Sequence, residues 1–143
     1  MDEGMEGKSL DIASLKGAVK ALEAAIKVYN ADTLEEDIRH TTLRPGVIHN
    51  FEVAYEECRR SMKRWLEANG SRDIVKGATY KQFYKSALEK GLISNINVWY
   101  GFHDARCKGL EIYREDIAEE VFDMANRFIP VAQELVAGLE AKI

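Results

Sequence analysis

The chain has 143 residues, of which 46% are hydrophobic, enough to build one continuous core, and we expect a single helical domain over residues 1–143. Its 20 basic and 24 acidic residues give a formal net charge of -4, which excludes a general electrostatic attraction to DNA, RNA or anionic membranes. Any contact with nucleic acid would therefore need a local basic patch.

The cysteines and the N-terminal residues bear on the cellular compartment. Cys58 and Cys107 form no CxxC or disulfide-dense pattern, as is usual in a reducing compartment. Residues 1–8 are polar and contain glycine, so we expect them to be disordered, and they hold no apolar core of a secretion signal. No apolar run elsewhere approaches bilayer length. We therefore expect a cytoplasmic protein without a membrane span.

Two helices are predicted in the first half of the chain. The first, over residues 11–30, repeats apolar or small residues at intervals of three and four. Residues 31–43 are charged and lack a sustained period, which predicts a connection with one helical turn. The second helix begins near Pro45, which suits a first turn, and ends at Asn69 and Gly70. Its apolar stripe consists of Ile48, Phe51, Tyr55, Cys58, Met62, Trp65 and Leu66.

Three further helices are predicted in the second half. The third follows a capping box formed by Thr79 and Gln82, and the fourth begins after Ser94 or Asn95. The stripe of the fourth helix consists of Ile96, Trp99, Phe102, Arg106 and Leu110. A tight connection over residues 113–116 leads to the fifth helix, with Ile117, Val121, Met124, Phe128, Val131, Leu135 and Leu139 on one stripe.

These elements predict an all-α fold. No segment alternates apolar and polar residues long enough for a strand, and short connections between long amphipathic helices favour antiparallel neighbours. We therefore expect an antiparallel, up-and-down bundle of four to five helices. Since the stripe of helix two is wide enough to serve a second surface, we also expect a homodimer.

Metal and cofactor sites are not predicted. His40, His49 and His103 do not have the spacing of metal ligands, and the sequence contains no HExxH or CxxC frame. Gly70 and Gly77 are not part of a GKS or GKT phosphate loop. We therefore expect neither a metal ion nor a cofactor.

A run of basic residues on helix two has two explanations. It could line a phosphate-binding patch, or it could be a solvated helix face paired with Glu56, Glu57 and Glu67, which we favour. The residues concerned are Arg59, Arg60, Lys63, Arg64, Lys81 and Lys85. For Cys58 and Cys107, a role as small buried hydrophobes is favoured over that of reactive thiols.

Arg106 stands out because it interrupts the apolar stripe of helix four. A charge at such a position must be paired or must face a cleft. His103 projects to nearly the same side one turn earlier, and Tyr113 follows in the connection. Together they could bind a phosphodiester and move a proton. Composition alone favours the alternative, an ion pair of Arg106 with Glu111 or Asp104 that fixes the bundle.

Two stretches of the sequence resemble a known family. Residues 43–56, LRPGVIHNFEVAYE, resemble the LRDGVIQRFEFTYE stretch of the HEPN-type nucleotidyltransferase substrate-binding proteins. Trp99, seven residues before Arg106, resembles that family's Trp ahead of its RN motif, with Cys107 at the usual Asn position. The helix order also matches, so the resemblance covers about residues 9–140.

The resemblance implies roles for the end of helix four. In that family this helix ends in an Arg, four residues, a His, one residue and a Tyr, a motif associated with metal-independent RNA cleavage in toxin members. Arg106 and Tyr113 match, but the His position is occupied by Glu111. An ionised Glu cannot act as an acid and repels phosphate, which weakens the ribonuclease interpretation. His103 is the remaining candidate for proton transfer.

The resemblance also implies a partner. Such proteins are typically encoded beside a small MNT-type nucleotidyltransferase, an antitoxin that transfers AMP to the motif tyrosine, here Tyr113. The leading hypothesis is a non-catalytic binding subunit that presents Arg106, Lys108 and Tyr113 to this enzyme. One alternative is an RNase toxin in which Arg106 binds phosphate and His103 or Glu111 moves protons. The other is a purely structural helical dimer.

Overall fold

The computed structural model describes residues 10–31 and 35–143, and it contains five helices of ten residues or more. The expected disorder of residues 1–8 lies outside the described residues. The five helices are α1 (Ala13–Tyr29), α2 (Arg44–Leu66), α3 (Tyr80–Glu89), α4 (Ile96–Cys107) and α5 (Glu115–Lys142). No strand occurs in the described ranges, and the predicted all-α bundle is confirmed.

Short helical segments connect the long helices. The predicted turn before α2 lies at Glu36–Ile38, and a π-helical segment, Arg39–Leu43, continues directly into α2. After α2 the backbone kinks at Asn69 and Gly70, which have non-helical dihedral angles, and a short helix, Arg72–Val75, follows. A 3-10 turn at Gly109–Glu111 lies between α4 and α5. No helix in the described part of the chain is both long and apolar enough to span a bilayer.

Local sequence signals place the helix ends as predicted. The Thr79 hydroxyl accepts a hydrogen bond from the Gln82 amide at 3.2 Å, while the Gln82 side chain accepts one from the Thr79 amide at 3.0 Å. The Asn95 side chain caps α4 by accepting hydrogen bonds from the amides of Asn97 and Val98. Gly70 has a φ of 94°, a conformation that costs glycine little and that ends the regular course of α2.

The core is centred on α2, which contacts all four other long helices. Its buried stripe meets an aromatic cluster around Phe128 of α5. Phe51 packs edge-on against Phe128 at a centroid distance of 5.3 Å, and Phe102 of α4 does so at 5.0 Å. Trp99 completes the cluster at 6.0 Å from Phe128. Edge-to-face pairs of this kind add to the free energy gained by burying the rings.

The predicted stripe of helix four is wrong at its last position. Regular α4 ends at Cys107, and Leu110 lies in the following 3-10 turn with its side chain 94% exposed. Leu110 follows Arg106 by four residues, which fits a continuing α-helix. The change to 3-10 geometry after Cys107 instead turns Leu110 toward solvent.

Two leucines on helices allow a matched test of the core. Leu22 on α1 is fully buried, whereas Leu88 on α3 is 38% exposed. We expect Leu22→Ala to lower the free energy of unfolding by about 2–5 kcal/mol, because it removes buried methyl groups and leaves a cavity. Leu88→Ala should cost less than about 1 kcal/mol. Urea unfolding followed by circular dichroism measures both, and equal losses would contradict the described packing of α1.

Candidate functional site

Arg106 lies in the last turn of α4, where a positive charge interacts favourably with the helix dipole. Its side chain is 40% exposed, and its Nε lies 3.5 Å from Oε2 of Glu56 on α2. This contact has the distance of an ion pair, but Nε makes no hydrogen bond within the described residues. The Arg59 Nε donates to the other oxygen of Glu56 at 3.4 Å. The predicted pairing of Arg106 with Glu111 or Asp104 is therefore wrong, because the partner comes from α2.

His103 lies between α2, α3 and the end of α4. Its Nδ1 is hydrogen-bonded to the Tyr55 hydroxyl at 3.2 Å, and Tyr55 is hydrogen-bonded in turn to the Tyr84 hydroxyl at 2.6 Å. The ring of Tyr80 stacks on the imidazole with a centroid distance of 3.8 Å and an interplanar angle of 9°. The other ring nitrogen, Nε2, lies 3.5 Å from Sγ of Cys107. A chain of polar contacts thus leads from the buried tyrosines to the surface.

Burial controls the protonation of the tyrosines and the histidine in this series of polar contacts. Desolvation raises the pKa of Tyr55 to about 12 and also raises the pKa of Tyr84, so both hydroxyls remain protonated at neutral pH. Desolvation, with the nearby Arg59 and Arg106 charges, lowers the pKa of His103 from its ordinary 6.5. The imidazole is therefore neutral near pH 7 and is held by its neighbours.

The two cysteines differ in environment. Cys58 is fully buried on α2, and desolvation raises the pKa of its thiol, as expected for a small buried hydrophobe. Cys107, predicted to be buried as well, is exposed at the end of α4. The prediction is wrong there because α4 ends at this residue and only its inner face is covered.

Glu111 and Tyr113 lie in the connection between α4 and α5. The Glu111 carboxylate points to Arg114, with Oε1 3.6 Å from a guanidinium nitrogen. The Tyr113 side chain is 82% exposed. The Lys108 ammonium pairs with Glu120 of α5, and this hydrogen bond raises the pKa of Lys108. The structure thus places Arg106 and His103 against α2, and gives Glu111 and Lys108 partners in the connection and in α5.

The connection between α4 and α5 is held in place by contacts that the sequence did not predict. Arg44, almost fully buried at the start of α2, donates two hydrogen bonds to the carboxylate of Glu115, at 2.7 and 3.0 Å. Bidentate pairs of this kind are short and orientationally specific. The Glu52 carboxylate lies against Gly109, where a Cβ would be only 1.8 Å from Glu52 Oε2. These contacts tie α2 to both ends of the 109–114 segment.

The sequence contains a pattern from which the charged residues of α2 near this connection could be predicted. Glu52, Glu56 and Arg59 recur at intervals of four and three, so they share one flank of α2 beside the buried stripe. The basic run is partly explained in the same way, since Arg59 pairs with Glu56 and Arg60 with Glu57. Within the described residues, no group of three His, Cys, Asp or Glu side chains is placed to hold a metal ion.

The fold has a close counterpart among solved structures. A Haemophilus influenzae protein, whose structure was described as revealing the fold of a substrate-binding domain of a nucleotidyltransferase, superposes with a TM-score of 0.84. The match covers 91% of this chain and 99% of that chain, at 24% sequence identity. The bundle is therefore the fold of a nucleotidyltransferase substrate-binding domain.

The sequence comparison identifies the family. The family model described as "nucleotidyltransferase substrate binding protein like" matches residues 10–141, and the chain belongs to this family. A curated relative, the probable ribonuclease HepT of Haemophilus influenzae, is 28% identical over 97 residues. That alignment covers 67% of this chain and 66% of the relative, just under two thirds of the relative's length.

The environment of His103 predicts how the stability of the folded protein depends on pH. Because its pKa is lowered on folding, the unfolded chain binds the proton more readily, so folded-state stability is lost as the pH falls from about 6.5 through the folded-state pKa. A His103→Gln variant should lack this contribution. We expect its free energy of unfolding to fall less than that of the unmodified protein between about pH 7.5 and pH 5.

A second histidine supplies the control for this experiment. His49 is exposed on α2, and a His49→Gln variant retains His103 together with its tyrosine contacts. It should therefore keep the pH dependence of the unmodified protein. Identical pH dependence in the His103 and His49 variants would contradict the assigned effect of burying His103.

Proposed function

We propose that this chain is the HEPN-like substrate-binding subunit of a two-protein module, and that it pairs with a separate small MNT-type nucleotidyltransferase of the toxin–antitoxin kind. In this proposal Tyr113 is the acceptor of AMP. The observation that carries it is the exposure of Tyr113, 82%, on a connection whose ends are tied to α2. A residue so placed is accessible to the active site of another protein.

The proposed reaction needs only ATP and the partner enzyme. The phenolic oxygen of Tyr113 attacks the α-phosphorus of ATP and forms a new phosphorus–oxygen bond. The bond between the α-phosphorus and the oxygen that bridges to the β-phosphate breaks, and pyrophosphate leaves. The phenolic proton passes to a base of the partner or to water. No metal-binding or nucleotide-binding group of this chain is required for the step.

Two further residues would contribute to binding. Arg106 is 40% exposed beside Glu56 and Arg59, and its guanidinium has several N–H donors suited to an oxyanion. Lys108 is half-exposed and paired with Glu120, so a ligand would have to compete with that carboxylate. We therefore assign Arg106 the larger role in binding and Lys108 the smaller one.

The modification proposal is tested by co-expression with a small MNT-type nucleotidyltransferase from the same genome. Trypsin cleaves after Lys108 and Arg114, and the resulting peptide, GLEIYR, has Tyr113 as its only hydroxyl-bearing residue. We expect mass spectrometry to find this peptide carrying one adenylyl group. The modification should be lost in Tyr113→Phe, which removes only the attacking oxygen.

Another tyrosine gives the matched control. Tyr100 is partly buried and packs edge-on against Tyr80, so Tyr100→Phe leaves the 109–114 segment unchanged. It should be modified to the same extent as the unmodified sequence. An unmodified GLEIYR peptide after co-expression, together with failure of the two proteins to co-purify, would rule out the proposed function.

A metal-independent ribonuclease is the second candidate. The name of the curated relative, probable ribonuclease HepT, supports it, as does the neutral His103 one turn before Arg106. Against it are the carboxylates of Glu52 and Glu56 on the flank of α2, which repel a phosphodiester. The engagement of Glu111 with Arg114 also leaves no free proton donor at the position of the family's His. The purely structural homodimer has no comparable support.

The substrate-binding subunit and the metal-independent ribonuclease predict different results with RNA. We expect the purified protein in excess EDTA to cleave RNA no faster than an Arg106→Ala variant, because Glu111 occupies the position of the family's proton-transferring His. Glu111→His should create or raise cleavage, and the double variant with Arg106→Ala should lose it again. The assay is release of labelled fragments. Cleavage by the unmodified protein that Arg106→Ala abolishes would favour the ribonuclease instead.

A further inference from the structure

The segment after α4 repeats with a period of three residues. The backbone amides of Lys108, Glu111 and Arg114 each donate to the carbonyl three residues earlier, at 3.1, 2.9 and 3.0 Å. Gly109–Glu111 form a single 3-10 turn, and the bond from the Arg114 amide closes a second turn that ends in extended backbone at Arg114. In turns of this kind side chains three residues apart lie on the same side, and on this basis the side chains of residues 109–114 fall into three rows of two.

Two of these rows are occupied by contacts within the protein. In the first row, Gly109 lies against the Glu52 carboxylate, and Ile112 packs against the hydrophobic core. In the third row, Glu111 and Arg114 form an ion pair with each other. The contacts of Gly109 and Ile112 with the rest of the protein set the rotation of the turn about its axis, whereas the ion pair lies within the turn. They also fix which row faces solvent.

The remaining row consists of Leu110 and Tyr113. Their side chains are 94% and 82% exposed, and the next most exposed large hydrophobic residue of the described chain, Val28, is 52% exposed. A leucine with almost no cover gains almost no stabilisation from apolar burial within the described chain. Exposed apolar groups that lie together often mark a contact with another molecule.

We propose that Leu110 is a specificity-determining residue, the apolar anchor by which the nucleotidyltransferase recognises the turn that carries Tyr113. This inference rests on the proposed function. Leu110 and Tyr113 lie three residues apart in the connection, and both side chains are exposed. An enzyme that covers this side of the turn to reach the Tyr113 hydroxyl also covers Leu110, and we assign that enzyme an apolar pocket beside its active site.

The size of this row suits an anchor and not a complete interface. An aromatic side chain buries about 150–250 Å², and a leucine contributes less, whereas a stable interface needs about 800 Å² from each partner. The row alone is too small to hold two copies of the chain together. It suits a recognition point within the larger contact that the nucleotidyltransferase makes with this chain.

The test compares the initial rates of AMP transfer to purified variants of the full chain. The assay contains the same nucleotidyltransferase as the co-expression experiment, ATP, and increasing concentrations of the acceptor protein. For Leu110→Ala we expect a fall of about tenfold in kcat/KM, mainly through a higher KM, because most of the buried leucine surface is lost. Leu88→Ala, which alters a leucine on α3 outside the connection, should have the same kcat/KM as the unmodified protein.

Each possible result of this test decides a stated part of the proposal. Modification of the unmodified protein and of Leu110→Ala with equal kcat/KM would overturn the anchor and leave the proposed function intact. Failure to modify Tyr113 in any variant would overturn both. Sedimentation of the same samples serves as a second measurement. A dimer that dissociates on Leu110→Ala would overturn the anchor in favour of contact with a second copy.

Discussion

The edge-to-face contact between Phe51 of α2 and Phe128 of α5 sets the orientation of the central helix. It turns the apolar stripe of α2 toward α5 and α4, where Phe102 packs against the same ring. With 3.6 residues per turn, burial of Phe51 and Tyr55 leaves Glu52 and Glu56 on the flank that meets the end of α4. The charge that Arg106 encounters is therefore a consequence of core packing.

The same packing sets the charge and the hydrogen bonds around Arg106 and His103. Glu56 faces both Arg106 and Arg59, so part of the positive potential that would attract a phosphodiester is already neutralised. His103 is held between the Tyr55 hydroxyl and the stacked ring of Tyr80. An imidazole fixed in this way gives up some of the freedom that a proton shuttle needs, while it joins α3 to α4.

Local features of the fold were predictable from sequence, and contacts between helices were not. The capping box at Thr79 and the glycine end of α2 depend only on neighbouring residues, and both are present in the structure. The partner of Arg106 lies fifty residues earlier, on α2, and depends on how α4 docks. Leu110 was misplaced because its spacing from Arg106 fits an α-helix. Gly109 was the available sign that the helix ends.

Resemblance and structure contribute differently to the candidate site. The matching motif pointed to Arg106 and Tyr113, but it could not reveal that they belong to different environments, one against α2 and the other in solvent. The side chains of Tyr113 and Glu111 point in different directions only because the connection turns with a period of three residues. Because that period differs from the α-helical one, no helical extrapolation from Arg106 could have placed the tyrosine.

The connection also shows how a fold can present an exposed side chain at low entropic cost. Arg44 is almost fully buried where the segment Arg39–Leu43 continues into α2, and the Glu115 carboxylate compensates for its charge and links α2 to the start of α5. Motion of the turn relative to α2 would break charge-assisted hydrogen bonds at one end and disturb the Gly109 contact at the other. A partner that binds the turn therefore meets a tyrosine that is already positioned, and less of its binding energy is lost in ordering it.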